Sequence, residues 1–573
     1  MKSPPRLLTP GVIGPLTLKN RVIMSSMTTR QADEEGFVTE SAIAYYKARA
    51  EGGVGLITVE MASPEKAGKH RNFELGIYED RFLPGLRQLV EVIHASGAKA
   101  SIQLGHGGGH TRFDIMGEAP IAPSAIPHTV QEGHTEVIIP EAMTLARIAE
   151  TREAFAAAAR RAANAGFDAV EIHAAHGYLI SQFLTPAENL RDDDYGGNLR
   201  NRARFGLEIT SAVKAAVPQL AVIFRMNGDD FFDGGMTHEE AVEVATWAAQ
   251  AGADAIHMTA GHYRSQPTAA IMIPPMAAPP IPFLRFAEAV KRRVRVPVIA
   301  VGRFGDPKSA IAALEEERAD FIALGRPLLA DPNWVAKVEK GQQPRLCIAC
   351  NTCVDGMRIG RRLNCLVNAR TGRELEFEGK KLKRRGQRIA VIGTGPAGLT
   401  YAALMAEANQ ITVFEKEKEI GGAFRFAGLA PKFQGVDANP ESLLNYIQGL
   451  RVECEAKGVE IRTGCDPLSS PALLDGFEHI VVATGAQYPR GLAGIIHRLL
   501  VSGRIRKWPL EQFASRDAVR NWFYYKLRRP SGASASKSLA GKKSVEVIGD
   551  AAIAGKSEDA IKIAYCAAFA SAG

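Results

Sequence analysis

Thr151–Tyr178 reads TREAFAAAARRAANAGFDAVEIHAAHGY, and it contains the repeating unit of the first half of the chain. Thr151–Ala165 has the spacing of an amphipathic helix and stops at Gly166, a residue that ends helices because it takes left-handed backbone without steric cost. Ala169–His173 then reads as a short buried strand, with polar residues His173, His176 and Tyr178 at and just past its carboxyl end. The same alternation extends on both sides, from about Val22 to Gly325. Its apolar runs are Val22–Ser26, Val54–Val59, Ala98–Leu104, Ala169–His173, Val222–Met226, Ala255–Thr259, Val298–Val301 and Phe321–Leu324. Eight strands alternating with helices such as Arg81–Ala95 predict a parallel (β/α)8 barrel, and about 345 residues accommodate one with inserted loops.

The full chain of 573 residues is too long for one domain and predicts two to four. With 46% hydrophobic and 23% charged residues it has globular composition, which excludes collagen-like, disordered and disulfide-scaffold classes. A net charge of +8, from 70 basic and 62 acidic residues, is too mild to argue for nucleic acid. The opening MKSPPRLLTPGVIG has no apolar core of signal-peptide length, and no apolar run is long enough for a membrane span, so a cytoplasmic protein is expected. The seven cysteines are unevenly spread. Cys347, Cys350, Cys353 and Cys365 cluster, whereas Cys454, Cys465 and Cys566 are scattered, a pattern that suggests a metal centre rather than disulfides.

Barrel chemistry sits at the carboxyl ends of the strands. The residues there are Thr28, Glu60, Gln103 with His106, His173 with His176 and Tyr178, Arg225, His262, Gly302-Arg303 and Gly325-Arg326. Gly-Arg pairs after the seventh and eighth strands fall where barrels commonly hold a phosphate, because glycine admits backbone amides and arginine adds charge. A phosphorylated cofactor is implied. Surface ion pairs at strand ends are the alternative for either pair taken singly.

These motifs resemble the old yellow enzyme family of FMN barrels, in its larger iron-sulfur flavoprotein branch of 2,4-dienoyl-CoA reductase and trimethylamine dehydrogenase type. The matching segments are VIMSSMTT (Val22–Thr29), SIQLGH (Ser101–His106), EIHAAHGYLISQFL (Glu171–Leu184), NLRDDDYGGNLRNRARF (Asn189–Phe205), VGRF (Val301–Phe304) and IALGRPLLADP (Ile322–Pro332). The resemblance implies that Ser25 and Thr28 lie by the flavin, with Thr28 near its N5/O4 edge. It further implies Gln103 on the pyrimidine ring, Arg225 by N1/O2, and Gly302, Arg303, Gly325 and Arg326 on the phosphate. His173 and His176 are suited to donate to one carbonyl oxygen, while Tyr178 supplies a proton as general acid. Zinc is the competing use of the two histidines, but no third ligand of suitable spacing follows. The dienoyl-CoA reductases of the family lack both histidines here, which speaks against a fatty acyl-CoA substrate. With no cysteine before Cys347, the covalent cysteinyl-FMN of trimethylamine dehydrogenase cannot form.

Three closely spaced cysteines and a distant fourth suit the corners of a [4Fe-4S] cubane, with a zinc ribbon as the alternative. The text CIACNTC…NCLVNAR also resembles the cluster loop of the same branch. After a basic linker, Lys380–Arg385, the run Arg388–Ile392 reads as a strand. Gly393, Gly395 and Gly398 form a GxGxxG opening a helix, and a second strand, Ile411–Phe414, ends in Glu415. That context predicts a Rossmann-like dinucleotide site, with the glycines at the pyrophosphate and Glu415 on the ribose. Gly421-Gly422, the VVATG turn ending in Gly485 and the VIGD segment ending in Gly549-Asp550 resemble FAD-binding flavoproteins. Only 63 residues separate Gly485 from Gly549, so the middle of this domain is expected to be shortened and to lack an NAD(P)H-binding insertion. Trp522-Phe-Tyr-Tyr525, beside Lys526, Arg528 and Arg529, reads as core packing or as a basic surface for a membrane or partner.

The resulting expectation is an α/β chain with an FMN-binding TIM barrel at 1–345, an iron-sulfur loop and linker at 346–385, and a Rossmann-like FAD domain at 386–573. Its expected cofactors are FMN, a [4Fe-4S] cluster and FAD, with NAD(P)H as electron donor. The expected reaction is reduction of a carbon-carbon double bond conjugated to a carbonyl. An amine dehydrogenase or N-demethylase serving a protein acceptor, and a redox-impaired binding protein, are the alternatives. An α,β-unsaturated carbonyl substrate, a protein electron donor or acceptor and a homo-oligomer are the partners anticipated.

Overall fold

The computed structural model describes residues 4–570 except 130–136, 265, 434, 489–491 and 543. Its first compact unit comprises residues 1–274, 278–342 and 353–363, and its second 275–277, 343–352 and 364–573.

In the first unit, strands β1 (Val22–Met24), β2 (Leu56–Ala62), β3 (Lys99–Leu104), β4 (Ala169–Ala174), β5 (Ala221–Asn227), β6 (Ala255–Thr259), β7 (Val298–Val301) and β8 (Phe321–Leu324) close a barrel in sequence order. Every pairing is parallel, including β8 with β1, so all carboxyl ends open on one face. The eight runs read from the sequence are these strands, with ends moved by two residues or fewer at all but one boundary. The exception is β2, which runs on to Ala62 through an irregularity between Val59 and Met61. That irregularity inserts Glu60 as an extra residue and re-aims its side chain.

The helices α1 (Glu40–Glu51), α2 (Leu83–Ala95), α3 (Leu145–Ala165), α4 (Leu199–Ala216), α5 (His238–Gln250), α6 (Leu284–Lys291), α7 (Pro307–Glu315) and the short α8 (Arg326–Ala330) follow the strands. Helix α3 starts six residues before the predicted Thr151, because Thr144 caps it by accepting the Arg147 amide. It ends as expected at Gly166, with φ of 93°. A hairpin, Gly11–Ile13 with Leu16–Leu18, packs Ile13, Leu16 and Leu18 against Leu56, Ala169, Ala221 and Ala255. Those four open their strands or lie next to the opening residue, so the hairpin plugs the amino end of the barrel and leaves the carboxyl mouth as the route in.

The second unit carries β9 (Arg388–Ile392), β10 (Gln410–Glu415), β11 (Glu460–Thr463), β12 (His479–Val482) and β13 (Val545–Val547), ordered β11-β10-β9-β12-β13 and all parallel. This is the mononucleotide-binding order, with helices α9 (Pro396–Met405), α10 (Pro440–Ala456) and α11 (Ser557–Ala568) on the sheet. Between β12 and β13 the described residues form short helices and one two-residue strand pairing, Ala486–Gln487 with Arg529–Pro530. No parallel sheet is added there among the described residues. No described helix is long and apolar enough to cross a membrane.

Candidate functional site

Period-two alternation in β4 puts Glu171 and His173 on one face of the strand. Glu171 is a hub. Its Oε1 accepts from Gln103 Nε2 at 2.7 Å, its Oε2 from His257 Nδ1 at 2.6 Å, and Arg225 Nη1 lies 3.7 Å away. Burial alone would raise its pKa, but the His257 and Arg225 charges and hydrogen bonding outweigh burial and hold it at about 2. Gln103 Oε1 in turn accepts from Ser26 Oγ at 3.0 Å. Gln103 and Arg225 are therefore fixed through one carboxylate, whose partners come from β3, β5 and β6.

Past the end of β4 the chain turns sharply. His176 has φ of 67° and Gly177 of 85°; a Cβ at Gly177 would meet His262 Cε1 at 2.4 Å. His176 Nε2 lies 2.9 Å from Thr259 Oγ1, and its amide donates to Asn227 Oδ1 at 3.2 Å. The turn brings the rings of His173 and His176 to 5.1 Å, and those of His173 and Tyr178 to 5.0 Å. His173, His176 and Tyr178 thus form one buried group. Burial, and then the Arg225 charge, push both histidines well below their ordinary range, so both are neutral. Burial and Tyr263 keep the Tyr178 hydroxyl protonated. It lies 3.1 Å from His70 Nε2, whose Nδ1 is 2.8 Å from Glu74.

Sequence reasoning assigned no role to Glu171, His257, His70 or Glu74. Strand periodicity could have singled out Glu171, but His70 and Glu74 come from a loop with no motif. Glu60 was noted only as a strand-end residue. The irregularity in β2 aims its carboxylate at Thr29, whose amide donates at 2.8 Å and whose hydroxyl also bonds it. Burial raises its pKa to about 7 against these bonds.

Around the expected phosphate site, Gly302 has φ of 117°, and a Cβ there would meet the Phe283 ring at 2.8 Å. A Cβ at Gly325 would lie 3.1 Å from Met27 Sδ and 4.0 Å from the Ser25 Cβ. Ser25, whose amide donates to Leu324 O at 3.0 Å, is thus beside Gly325. Arg303 is tied to the carbonyls of Ala278 and Pro279; Arg326 and Thr28 are half-buried. Arg225 Nε, His173 Nδ1 and His257 Nε2 are buried without hydrogen-bond partners among the described residues. Orphaned donors beside the Gln103 amide, with glycines where a Cβ would crowd the strand ends, fit a bound flavin.

Cys350 and Cys353 are buried, Cys347 and Cys365 half-buried. Cys347 Sγ accepts the Ala349 amide at 3.4 Å, in a stretch where Ala349 and Asn351 have φ of 51° and 58°. Cys353 opens the segment 353–363, which belongs to the barrel unit. There Leu363 N donates to Thr29 O at 3.0 Å and Arg30 Nε to Met357 O at 3.1 Å. Among the described residues no three His, Cys, Asp or Glu side chains are gathered into a metal-binding group. The four thiols supply the donor chemistry for a cluster.

In the second unit the β9–α9 turn is built as the GxGxxG predicts. A Cβ at Gly393 would lie 2.5 Å from Ala483 O and one at Gly398 2.0 Å from Gly393 O, whereas Gly395 faces open space. Gly422, with φ of 52°, approaches the Gly395 Cα, and Gly485 has φ of 76°. Glu415 ends β10 and accepts from the Thr394 amide at 3.1 Å. These residues fit a dinucleotide. Gly549 packs against Ala397, but Asp550 is bound by Arg528 at 2.7 Å, a residue of the stretch that stands in place of an insertion. Phe523 of that stretch is buried and stacks on Tyr488, while Trp522 is exposed; the aromatic run is split between core and surface.

A flavin-suited barrel mouth in the same chain as a Rossmann-like unit defines a two-part oxidoreductase. Residues 6–344 match the NADH:flavin oxidoreductase / NADH oxidase family and residues 391–436 the NAD(P)-binding Rossmann-like domain. The chain belongs to the NADH:flavin oxidoreductase / NADH oxidase family, which is of old yellow enzyme type. It is 36% identical over 491 residues to an NADH oxidase of Thermoanaerobacter brockii, covering 84% of this chain and 73% of that protein. To an N,N-dimethylglycine/sarcosine dehydrogenase of Chromohalobacter salexigens it is 34% identical over 492 residues, covering 84% and 69%. To a cinnamate reductase of Clostridium sporogenes it is 32% identical over 512 residues, covering 85% and 75%. The fold is shared with a 2-naphthoyl-CoA reductase structure, at a TM-score of 0.85 and 24% identity over 98% of each chain.

Proposed function

We propose that the chain is an FMN-dependent ene-reductase that saturates a carbon-carbon double bond conjugated to a carbonyl. The observation that carries this reading is the buried pair of imidazoles, His173 and His176, with ring centres 5.1 Å apart, and the Tyr178 ring 5.0 Å from His173 at the carboxyl end of β4. Gln103, Arg225 and the Gly302 and Gly325 turns, with Ser25, Thr28, Arg303 and Arg326 nearby, would hold FMN, which when reduced would supply hydride. Neutral imidazoles donate N–H bonds to the substrate carbonyl oxygen without adding charge to a site that Arg225 already makes positive. As the β-carbon receives hydride, negative charge moves to that oxygen, where buried donors stabilise it far more than water would. Tyr178 then gives its phenolic proton to the α-carbon. Glu171 acts at one remove by orienting Gln103 and Arg225.

The Rossmann-like unit is assigned FAD, supported by the glycine turns and Glu415. Cys347, Cys350, Cys353 and Cys365 are assigned a [4Fe-4S] cluster on donor chemistry and spacing. NAD(P)H is assigned as donor at the barrel mouth. Likeness to the N,N-dimethylglycine/sarcosine dehydrogenase supports amine oxidation as the second reading.

The deciding experiment is anaerobic reoxidation of the reduced holoenzyme by cinnamaldehyde and by cyclohexenone, compared with reduction of the oxidised enzyme by sarcosine. His173→Ala and His176→Ala should each slow reoxidation by the enone about a hundredfold or more, since one oxyanion donor is worth about 2.7–4 kcal/mol. Tyr178→Phe should slow turnover with little change in phenol binding. Unchanged enone rates in all three variants, with reduction by sarcosine, would refute the ene-reductase reading in favour of the amine one.

A further inference from the structure

We propose that residues 495–529 of the second unit form a docking surface for anionic lipid headgroups, by which the enzyme associates with a membrane face without spanning it. The stretch from Arg498 to Arg529 holds nine basic residues and two acidic ones, so it accounts for +7 of the net +8 of the chain. Three of the nine are used internally, Arg520 being paired with Asp517 at 2.8 Å. Arg506 is spent on the carbonyls of Gly428, Leu429, Ala430 and Ala438, and Arg528 on Asp550 and Gly555. Arg498, Arg504, Lys507, Arg516, Lys526 and Arg529 are exposed.

Large apolar side chains are exposed among them. Trp508 is 78% exposed, Phe513 51%, Ile495 46% and Val501 39%. They are not loosely held, because the inner side of the same stretch is anchored. Leu500 and Phe523 are buried against Ala430, with Ile496, Ile505 and Leu527 packed around them. In the helix Leu492–Val501, Ile496 and Leu500 thus face inward. Ile495, Arg498 and Val501 fall on the outer side by their three-residue spacing. Arg504, Lys507, Trp508, Leu510 and Phe513 continue this mixture within ten residues of chain.

Exposed tryptophan and phenylalanine interleaved with lysine and arginine suit a bilayer interface, where rings enter the headgroup boundary while cations meet lipid phosphates. An acidic protein would match the charge. A lipid interface accounts for the cations and the exposed rings together.

The test is cosedimentation of the full-length holoenzyme with unilamellar vesicles, of phosphatidylcholine alone or with about 30 mol% phosphatidylglycerol. Binding is expected only to the anionic vesicles and should weaken as salt shortens the screening length. Arg504→Ala with Lys507→Ala should lower the affinity about 25-fold, two cations being lost at about fivefold each. Trp508→Ala with Phe513→Ala should also release the protein. These exposed variants should keep the circular dichroism and enone rate of the parent. Equal binding to both vesicle types, or binding unchanged in both double variants, would overturn the proposal. Absence of vesicle binding together with salt-sensitive binding of a bacterial ferredoxin would overturn it in favour of an acidic protein partner.

Discussion

Replacing Glu171 by glutamine tests whether a single buried carboxylate organises the flavin side of the barrel. The substitution keeps shape and removes charge. In the folded protein this carboxyl is held at about 2, against an ordinary value of 4.5, which corresponds to about 3 kcal/mol of stabilisation at neutral pH. The sign follows from the depressed value: the stabilisation is fully present above pH 4.5 and is lost as pH falls toward 2. Deleting one partner of a buried ion pair costs about 3–5 kcal/mol, and here it would leave Arg225 without its counter-ion and take the charged acceptor from His257 Nδ1. Urea unfolding of the full chain at pH 7, followed by circular dichroism, should therefore show Glu171→Gln destabilised by about 3–5 kcal/mol in the barrel transition. The gap between parent and variant should narrow as the solution is acidified below pH 4.5. In an Arg225→Met background the same substitution should cost less, because there is no guanidinium left to strand. A variant as stable as the parent at pH 7 would refute the claim that this carboxylate is charged and central.

Glu60 has the opposite sign. Its carboxyl is raised to about 7 by burial, so its ionisation costs the parent about 3 kcal/mol as pH rises from about 4.5 to 7; Glu60→Gln should lack this loss, as parallel urea titrations at pH 5 and pH 8 would reveal. Cys353→Ser should remove iron and sulfide while leaving FMN bound, because the barrel supplies the flavin contacts; zinc in place of iron would sink the cluster assignment. Stopped-flow mixing with NADH and NADPH should reduce FMN directly, and a phenol in the barrel mouth should block it. FAD reduced ahead of FMN despite the phenol would show a nicotinamide site in the second unit.

The sequence by itself determined the barrel, because hydrophobic periodicity is local. Each of the eight runs had to be a buried strand whatever lay far from it, and Gly166, Gly393 and Gly398 mark places where only glycine fits the backbone. His173, His176 and Tyr178 were legible for the same reason, being close neighbours on one turn. Only the tertiary structure could pair Glu171 with His257, 86 positions away, or Tyr178 with His70, 108 positions away. It alone turned Arg528 onto Asp550 and left Trp508 in solvent while burying Phe523. The pKa values that set Glu171 and Glu60 apart arise from burial and from charges brought close by closure of the barrel. Neither quantity is a property of a residue or of its neighbours in sequence, so neither can be read before the strands are closed.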